Sequence, residues 1–367
     1  MKILFIAPVH KEYEFLNQKG GKPFLESQGQ QCIYDALKKL GHEVFVFRYS
    51  DTYLIPNKIR IPIKEFFIHF FPSFYHKVNR FNDKFYKLIP ENFVKNKKLY
   101  GLSIKTKPEL IIISGGFSQI FPANLLNIKN KLSPKIILLG GVNPTTSSPD
   151  AEREIVVKKT VDIVVENDRH YKELWEKLGA KKVIVLPISS IDPSLHRKVK
   201  LNKKEQQLYN SDVCFVGTLT SNRQIILSSL TNFNLKIFGD IPAGLTLDDE
   251  LKHFYYGEAW GEKMVKIFNC AKIVLNIQPP DMTYGGNMRT FEIPGCGAFQ
   301  LVDRYSNEWF VEGKEIASFR NVGDLKRKIS FFLKNDKIRR SIANAGYNKS
   351  HKEHTYEKHF KKLLSKI

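Results

Sequence analysis

Arg289 and Glu292 stand three residues apart in the stretch Tyr284-Gly-Gly-Asn-Met-Arg-Thr-Phe-Glu-Ile-Pro-Gly-Cys-Gly297. On a helix that spacing puts both side chains on one face. Gly285-Gly286 signals a loop, and Asn287 behind it is a good N-cap for a short helix. Pro294, Gly295 and Gly297 end that helix. The apolar run 298–302, closed by Asp303, reads as a short buried strand. A loop, a helix start, an arginine and a carboxylate in this order suit a nucleoside diphosphate. The helix start and the guanidinium can hold phosphate oxygens. An ionised carboxylate has two acceptor oxygens for the two ribose hydroxyls. The same spacing also describes a capped helix with a plain i,i+3 ion pair.

These residues need a sheet to position them, and the chain offers two. Apolar runs at 2–8, 43–49, 110–114, 135–139, 162–165 and 182–186 read as buried parallel strands with helices between them. After residue 210 a second series begins, with strands at 213–216, 235–238, 272–276 and 298–302. Glycines follow several strands, and the C-terminal edge of an open α/β sheet is where ligands bind. Gly20, Gly21, Gly115, Gly116 and Gly141 mark where a ligand could approach the backbone of the first domain, although GxGxxG is absent. Residues 189–210 lapse into Ser-Ser, Asp-Pro and a basic run, the pattern of a linker. The division is a first domain at 1–195, a second at 208–350 and a terminal helical segment at 351–367. In the second domain Asp324 is expected to cap a helix and Gly346 to stop another.

Residues 51–100 interrupt the alternation. Pro72-Ser73 opens a helical pattern with Phe74, Val78, Phe81, Phe85 and Ile89 on one face, beside Lys77, Arg80, Lys84 and Lys87. Such a helix can lie on an anionic membrane or pack its aromatics on its own domain.

Composition bounds the rest. The chain has 367 residues, 42% hydrophobic and 26% charged, the profile of a globular protein with two domains. Cys32, Cys214, Cys270 and Cys296 are scattered without CxxC spacing and read as buried thiols of a reducing compartment. The apolar start is too short for a signal peptide and lacks a cleavage site, so a cytoplasmic location is expected. The formal net charge of +21 points to anionic partners: nucleotides, an anionic membrane surface or nucleic acid.

Asn287-x-Arg289-Thr-Phe-Glu292-Ile-Pro-x-Cys-Gly297 resembles the donor-site signature of group 1 glycosyltransferases of the spore-maturation type. Asp212-Val-Cys-Phe-Val-Gly217, Arg223, Tyr256-Gly257, Cys270-Ala-Lys-Ile-Val-Leu-Asn276, Gly346 and His354-Thr355 match in order, over roughly residues 210–360. The resemblance implies an α/β protein of the GT-B fold, two Rossmann-like doubly wound domains facing across a cleft. It also implies that the last helix crosses back to the first domain. By this likeness Glu292 binds the donor ribose, Gly217 and Thr218 offer amides to the diphosphate, and Arg223 and Arg289 counter its charge. Asn287 starts the donor helix, and Tyr256 and Gly257 lie near the base. Tyr284 stands where many relatives carry a second glutamate, so donor-sugar contact and stereochemical outcome do not carry over. No D-x-D occurs, so neither a metal nor another cofactor is expected. His10 resembles in position the base of some inverting relatives, and Asp150, Glu166 and Asp168 are weaker candidates. The implied activity is sugar transfer from a nucleoside-diphosphate sugar to a hydroxyl acceptor of unknown identity, in cell-envelope glycan, lipid or protein glycosylation. The protein would be cytoplasmic, on the inner face of the membrane when bound there. The alternatives are a nucleic-acid-modifying glycosyltransferase and a non-catalytic nucleic-acid or glycan-binding protein with a vestigial nucleotide site.

Overall fold

Short strands rich in Ile, Val and Leu, with apolar residues at every position, must be covered on both faces. The computed structural model has them so. It describes residues 1–7, 28–49, 85–114, 120–141, 143–144, 156–242 and 244–367, with isolated positions between 52 and 78. The chain divides into two units, 1–188 with 359–367, and 189–358.

The first unit holds six parallel strands: β1 (Lys2–Ala7), β2 (Glu43–Arg48), β3 (Leu110–Ser114), β4 (Lys135–Leu139), β5 (Ile163–Glu166) and β6 (Val183–Val185). They lie in the order β2-β1-β3-β4-β5-β6. Alternate residues go to opposite faces, so Leu4, Ile6, Ile111 and Ile113 join one core cluster while Ile3, Phe5 and Ile112 are buried on the other side. The helix Pro90–Thr106 was not legible in the sequence, because its covered face is polar. Asn92, Lys95, Asn96, Ser103 and Thr106 are buried there. Asn96 Oδ1 accepts from the Phe121 N–H at 2.8 Å, and the Lys95 ammonium sits 4.6 Å from the Tyr49 ring centre. Farther upstream, Phe74 and Val78 are exposed rather than packed on the unit. Phe81 lies outside the described residues.

The second unit holds β7 (Ser211–Val216), β8 (Leu235–Phe238), β9 (Ala271–Asn276), β10 (Gln300–Val302) and β11 (Ala317–Ser318). Their order is β11-β10-β9-β7-β8, all parallel. Val213 and Phe215 face one core cluster, Cys214 and Val216 the other. Three expectations are corrected here. Residues 189–210 belong to this unit: Ile191 and His196 are buried, and Asn202 with Glu205 forms a capping box on the helix Lys203–Tyr209. The cap of the helix Val322–Lys334 is Asn321, whose side chain accepts from the Asp324 N–H, while Asp324 accepts from Arg320. Gly346 does not stop a helix but sits inside Asp336–Glu353, where an added Cβ would come 2.5 Å from the Glu315 carbonyl oxygen. The helix Tyr356–Leu364 buries Tyr356, Phe360 and Leu363, the face its spacing predicts. Among the described residues no helix is long and apolar enough to cross a membrane.

Candidate functional site

In the second sheet β7 is the strand from which the chain first goes one way, to β8, and then the other, to β9. A crevice opens at the carboxyl ends of strands where the order reverses in this way. The residues singled out from the sequence gather at that point. Arg289 Nε donates to the Val216 carbonyl at the end of β7, 3.0 Å away. Arg223 donates to the Thr218 carbonyl just past β7 (2.9 Å) and to the Ile277 carbonyl just past β9 (3.0 Å from Nε). Thr218 Oγ1 donates to Asp240 Oδ1 at 2.8 Å, past the end of β8.

The helix carrying Arg289 and Glu292 is Met288–Gly295, and Asn287 caps it by accepting from the Thr290 N–H at 3.1 Å. The Met288 and Arg289 amides in its first turn make no hydrogen bond to the described residues. A polar network beneath the cap aims that turn. Asn287 Nδ2 donates to Asn276 Oδ1 (2.9 Å), Asn276 Nδ2 to Thr290 Oγ1 and Gln300 Oε1 (both 3.1 Å), and Gln278 Oε1 accepts from the Asn287 N–H (3.0 Å). Buried polar groups satisfied in this way specify a single arrangement. Gly286 completes the approach at φ +87°, where a Cβ would meet Thr290 Oγ1 at 2.8 Å.

Glu292 has no exposed surface. One carboxylate oxygen pairs with Arg289 Nη1, the other lies 3.3 Å from His196 Nε2. Burial pushes its pKa up, but the charges of Arg289 and His196 and their bonds outweigh that and hold it down to about 2. Arg289 is 17% exposed, and its Nη2 makes no hydrogen bond to the described residues. His196 was missed because it falls in the stretch that read as a linker. Arg304 was missed too: it donates to the carbonyls of Met282 (2.6 Å), Gln278 (2.8 Å) and Pro279 (3.1 Å), fixing the loop ahead of Gly285-Gly286. A basic residue directly after the strand-closing Asp303 was its signal.

Other candidates are placed differently from expectation. The Gly217 N–H is spent on the Phe238 carbonyl at 3.0 Å, so it has no proton left for a phosphate. The Thr218 amide makes no hydrogen bond to the described residues. Tyr256 is 42% exposed and packs on Phe238, ring centres 5.7 Å apart, with Lys236 Nζ 5.0 Å from its own centre. The Gly257 carbonyl accepts from the Gly239 N–H at 3.0 Å, which ties the Tyr256-Gly257 pair to the end of β8. In the first unit Glu166 is fully buried, accepting from Trp175 Nε1 (2.8 Å), the Gly141 N–H (3.1 Å) and the Asp168 N–H (3.0 Å). Burial raises its pKa against those bonds. Asp168, also buried, accepts from the His170 N–H. His10, Gly20, Gly21, Gly115, Gly116 and Asp150 lie outside the described residues. Cys32, Cys214 and Cys296 are buried free thiols, and Cys270 is half-buried. Two open grooves of the second unit, of about 810 and 510 Å3, are lined by other residues than this cluster.

Residues 223–365 match the family described as glycosyl transferase-like. The chain is 25% identical over 218 residues to spore protein CgeB of Bacillus subtilis (strain 168), covering 55% of this chain and 66% of that protein. It is similar over its whole length to two solved structures. Anabaena Alr3699/HepE, solved in complex with UDP, has a TM-score of 0.65 at 12% identity. Sucrose-phosphate synthase (tll1590) from Thermosynechococcus elongatus has 0.63 at 10%. Each is covered to 100%. The chain has the GT-B fold, and residues 223–365 are glycosyl transferase-like. The resemblance read from residues 210–360 is borne out by that match. Within the second unit, the cluster at the ends of β7 and β9 is what the sequence had singled out.

Acid should loosen this domain in two stages. His354 is buried, its Nε2 donating to the Trp309 carbonyl at 2.8 Å, and burial lowers its pKa from 6.5 to about 4. The unfolded chain therefore takes up the His354 proton first as pH falls. Its stabilising contribution is whole above pH 6.5 and is lost on the way down to about 4. The Glu292 carboxylate, ordinarily near 4.5, likewise contributes above that pH, and its share is lost toward about 2. His354→Gln should therefore flatten the fall in urea midpoint between pH 6.5 and 4, an effect on the order of 2–3 kcal/mol. An unchanged slope would place the acid sensitivity elsewhere.

Proposed function

We propose that this protein is a metal-independent glycosyltransferase that moves a sugar from a uridine-diphosphate sugar to a hydroxyl acceptor of the cell envelope, on a glycan, lipid or protein. The observation that carries the reading is the meeting of Arg289, the Thr218 amide and the first turn of Met288–Gly295 at the β7/β9 switch point. A departing diphosphate gathers negative charge there, and a fixed guanidinium with aimed amides stabilises it without reorganising. The solved structure of HepE with UDP-glucose, on the same fold, favours a uridine donor. Arg289 turns its guanidinium to the diphosphate and thereby releases a Glu292 oxygen to the ribose hydroxyls. His196 holds the other oxygen, and so the carboxylate stays in place through the exchange. Tyr256 offers an aromatic face for the base. Arg223, whose donors go to backbone carbonyls, shapes the loops and adds positive field. In the first domain His10 would take the proton of the acceptor hydroxyl, and Gly20, Gly21, Gly115, Gly116 and Gly141 would line the acceptor's side.

A thermal-shift screen with UDP, GDP, dTDP and CDP tests the donor. A ligand at a hundred times its Kd adds ~2.7 kcal/mol to the state that binds it, so UDP should raise Tm by several degrees. The rise should persist in EDTA. If no diphosphate raises Tm, the donor site is lost. If only GDP or dTDP does, the uridine assignment falls.

A further inference from the structure

Outside the site, and among the described residues, the largest departure from an ordinary surface is in the first unit, at positions between 54 and 78. Ile59 (48%), Ile63 (50%), Phe66 (51%), Phe70 (61%), Phe74 (57%) and Val78 (38%) are all exposed. They are three or four residues apart, the spacing of a helix face, and each of these positions is helical, although Phe71 between Phe70 and Phe74 is not. The rings touch one another: Phe66 and Phe70 have centres 4.9 Å apart, Phe67 and Phe74 6.0 Å. A contiguous aromatic stripe left facing water is costly, and on a folded protein it marks a surface that meets a partner.

The sequence around the stripe says which partner. Positions 58, 60, 64, 77, 80, 84 and 87 are Lys or Arg, against only Glu65 and Asp83 between 58 and 87. A second copy of this chain would bring the same positive segment, on a molecule of net charge +21, against its like. The partner must therefore be apolar beneath and anionic above. We infer that the exposed residues Ile59, Ile63, Phe66, Phe70, Phe74 and Val78 lie on an anionic lipid bilayer, with the three rings at the depth of the upper acyl chains and Lys77 at the headgroups. The basic sequence around them supplies the preference for anionic lipid. This surface uses none of the donor-cluster residues, so it neither needs nor tests the sugar-transfer reading. It does place the unit where a lipid-borne acceptor would be.

The test uses the full chain and a triple variant, Phe66→Ser, Phe70→Ser and Phe74→Ser, whose exposed positions leave folding intact as judged by Tm. Both are sedimented with phosphatidylcholine vesicles and with an equimolar phosphatidylcholine–phosphatidylglycerol mixture. The wild type should bind the mixed vesicles at least about tenfold more tightly than the neutral ones, and the triple variant should lose at least about tenfold on the mixed vesicles. Raised salt should weaken the wild type on them. Equal binding to both lipids overturns the inference, as does a triple variant that binds like the wild type. So do two other outcomes: a wild-type dimer that the triple variant splits, and single-stranded oligonucleotide binding in place of vesicle binding.

Discussion

Adding one methyl group at Gly239 is expected to cost roughly 4–5 kcal/mol or more, enough to leave the second unit unfolded at ordinary temperature. Gly239 has φ +143°, and a Cβ there would lie 1.8 Å from the Gly217 carbonyl oxygen and 2.6 Å from its carbon. Both obstacles are backbone at the crowded ends of β7 and β8, where the Gly217 N–H already bonds the Phe238 carbonyl. No side-chain rotation relieves the clash. Gly257→Ala is the control: φ is +79° but nothing lies within 4 Å, so only the conformational cost of about 1–2 kcal/mol applies. Urea unfolding of the three proteins measures the contrast. Equal losses in the two variants would mean that the β7–β8 ends yield readily.

Glu292→Ala should have the second large effect. It strands Arg289 and His196 around a buried gap, and removing one partner of a buried pair costs about 3–5 kcal/mol. Glu292→Gln keeps the shape and a single acceptor oxygen, so its loss should be smaller. Affinity for UDP should fall in the order wild type, Gln, Ala, with Ala weaker by roughly ten- to a hundredfold, measured by calorimetry on folded protein. 2′-Deoxy-UDP tells what the carboxylate does. If Glu292 takes the ribose hydroxyls, the deoxy penalty seen in the wild type vanishes in the Ala variant. If it only holds Arg289, the penalty survives unchanged. Unaltered UDP binding in folded Glu292→Ala would remove the residue from the site.

The Arg289–Glu292 pair and all strands but the two-residue β11 were legible because they obey local rules: an i,i+3 spacing behind a good cap, and near-continuous apolar runs. The features that escaped depend on contacts across the chain. His196 meets Glu292 only after 189–210 has folded onto the unit, and nothing in its own neighbourhood marks it as more than a loop histidine. The network of Asn276, Gln278, Thr290 and Gln300 uses residues whose polarity argues for the surface. Burial is tolerable for them because each finds a partner from another element. The helix Pro90–Thr106 failed in the same way, its covered face being mostly Asn, Lys, Ser and Thr around Leu99. Gly346 misled for a different reason. A glycine near the end of an apolar pattern signals a stop, but this one makes room for the Glu315 carbonyl.

Residues 359–367 go with the first unit, although all of 189–358 lies between them and the rest of it. Phe360 and Leu363 are buried there, and Lys182 Nζ donates to the Lys366 carbonyl at 2.9 Å. The order of synthesis therefore runs against the order of completion. The first six strands leave the ribosome early but lack the helix at 359–367 until the second unit behind them has been made. A nascent chain halted before residue 359 would carry a finished second unit and a first unit with an uncovered apolar seat for Phe360 and Leu363. In that interval the early-made unit is the one expected to expose apolar surface.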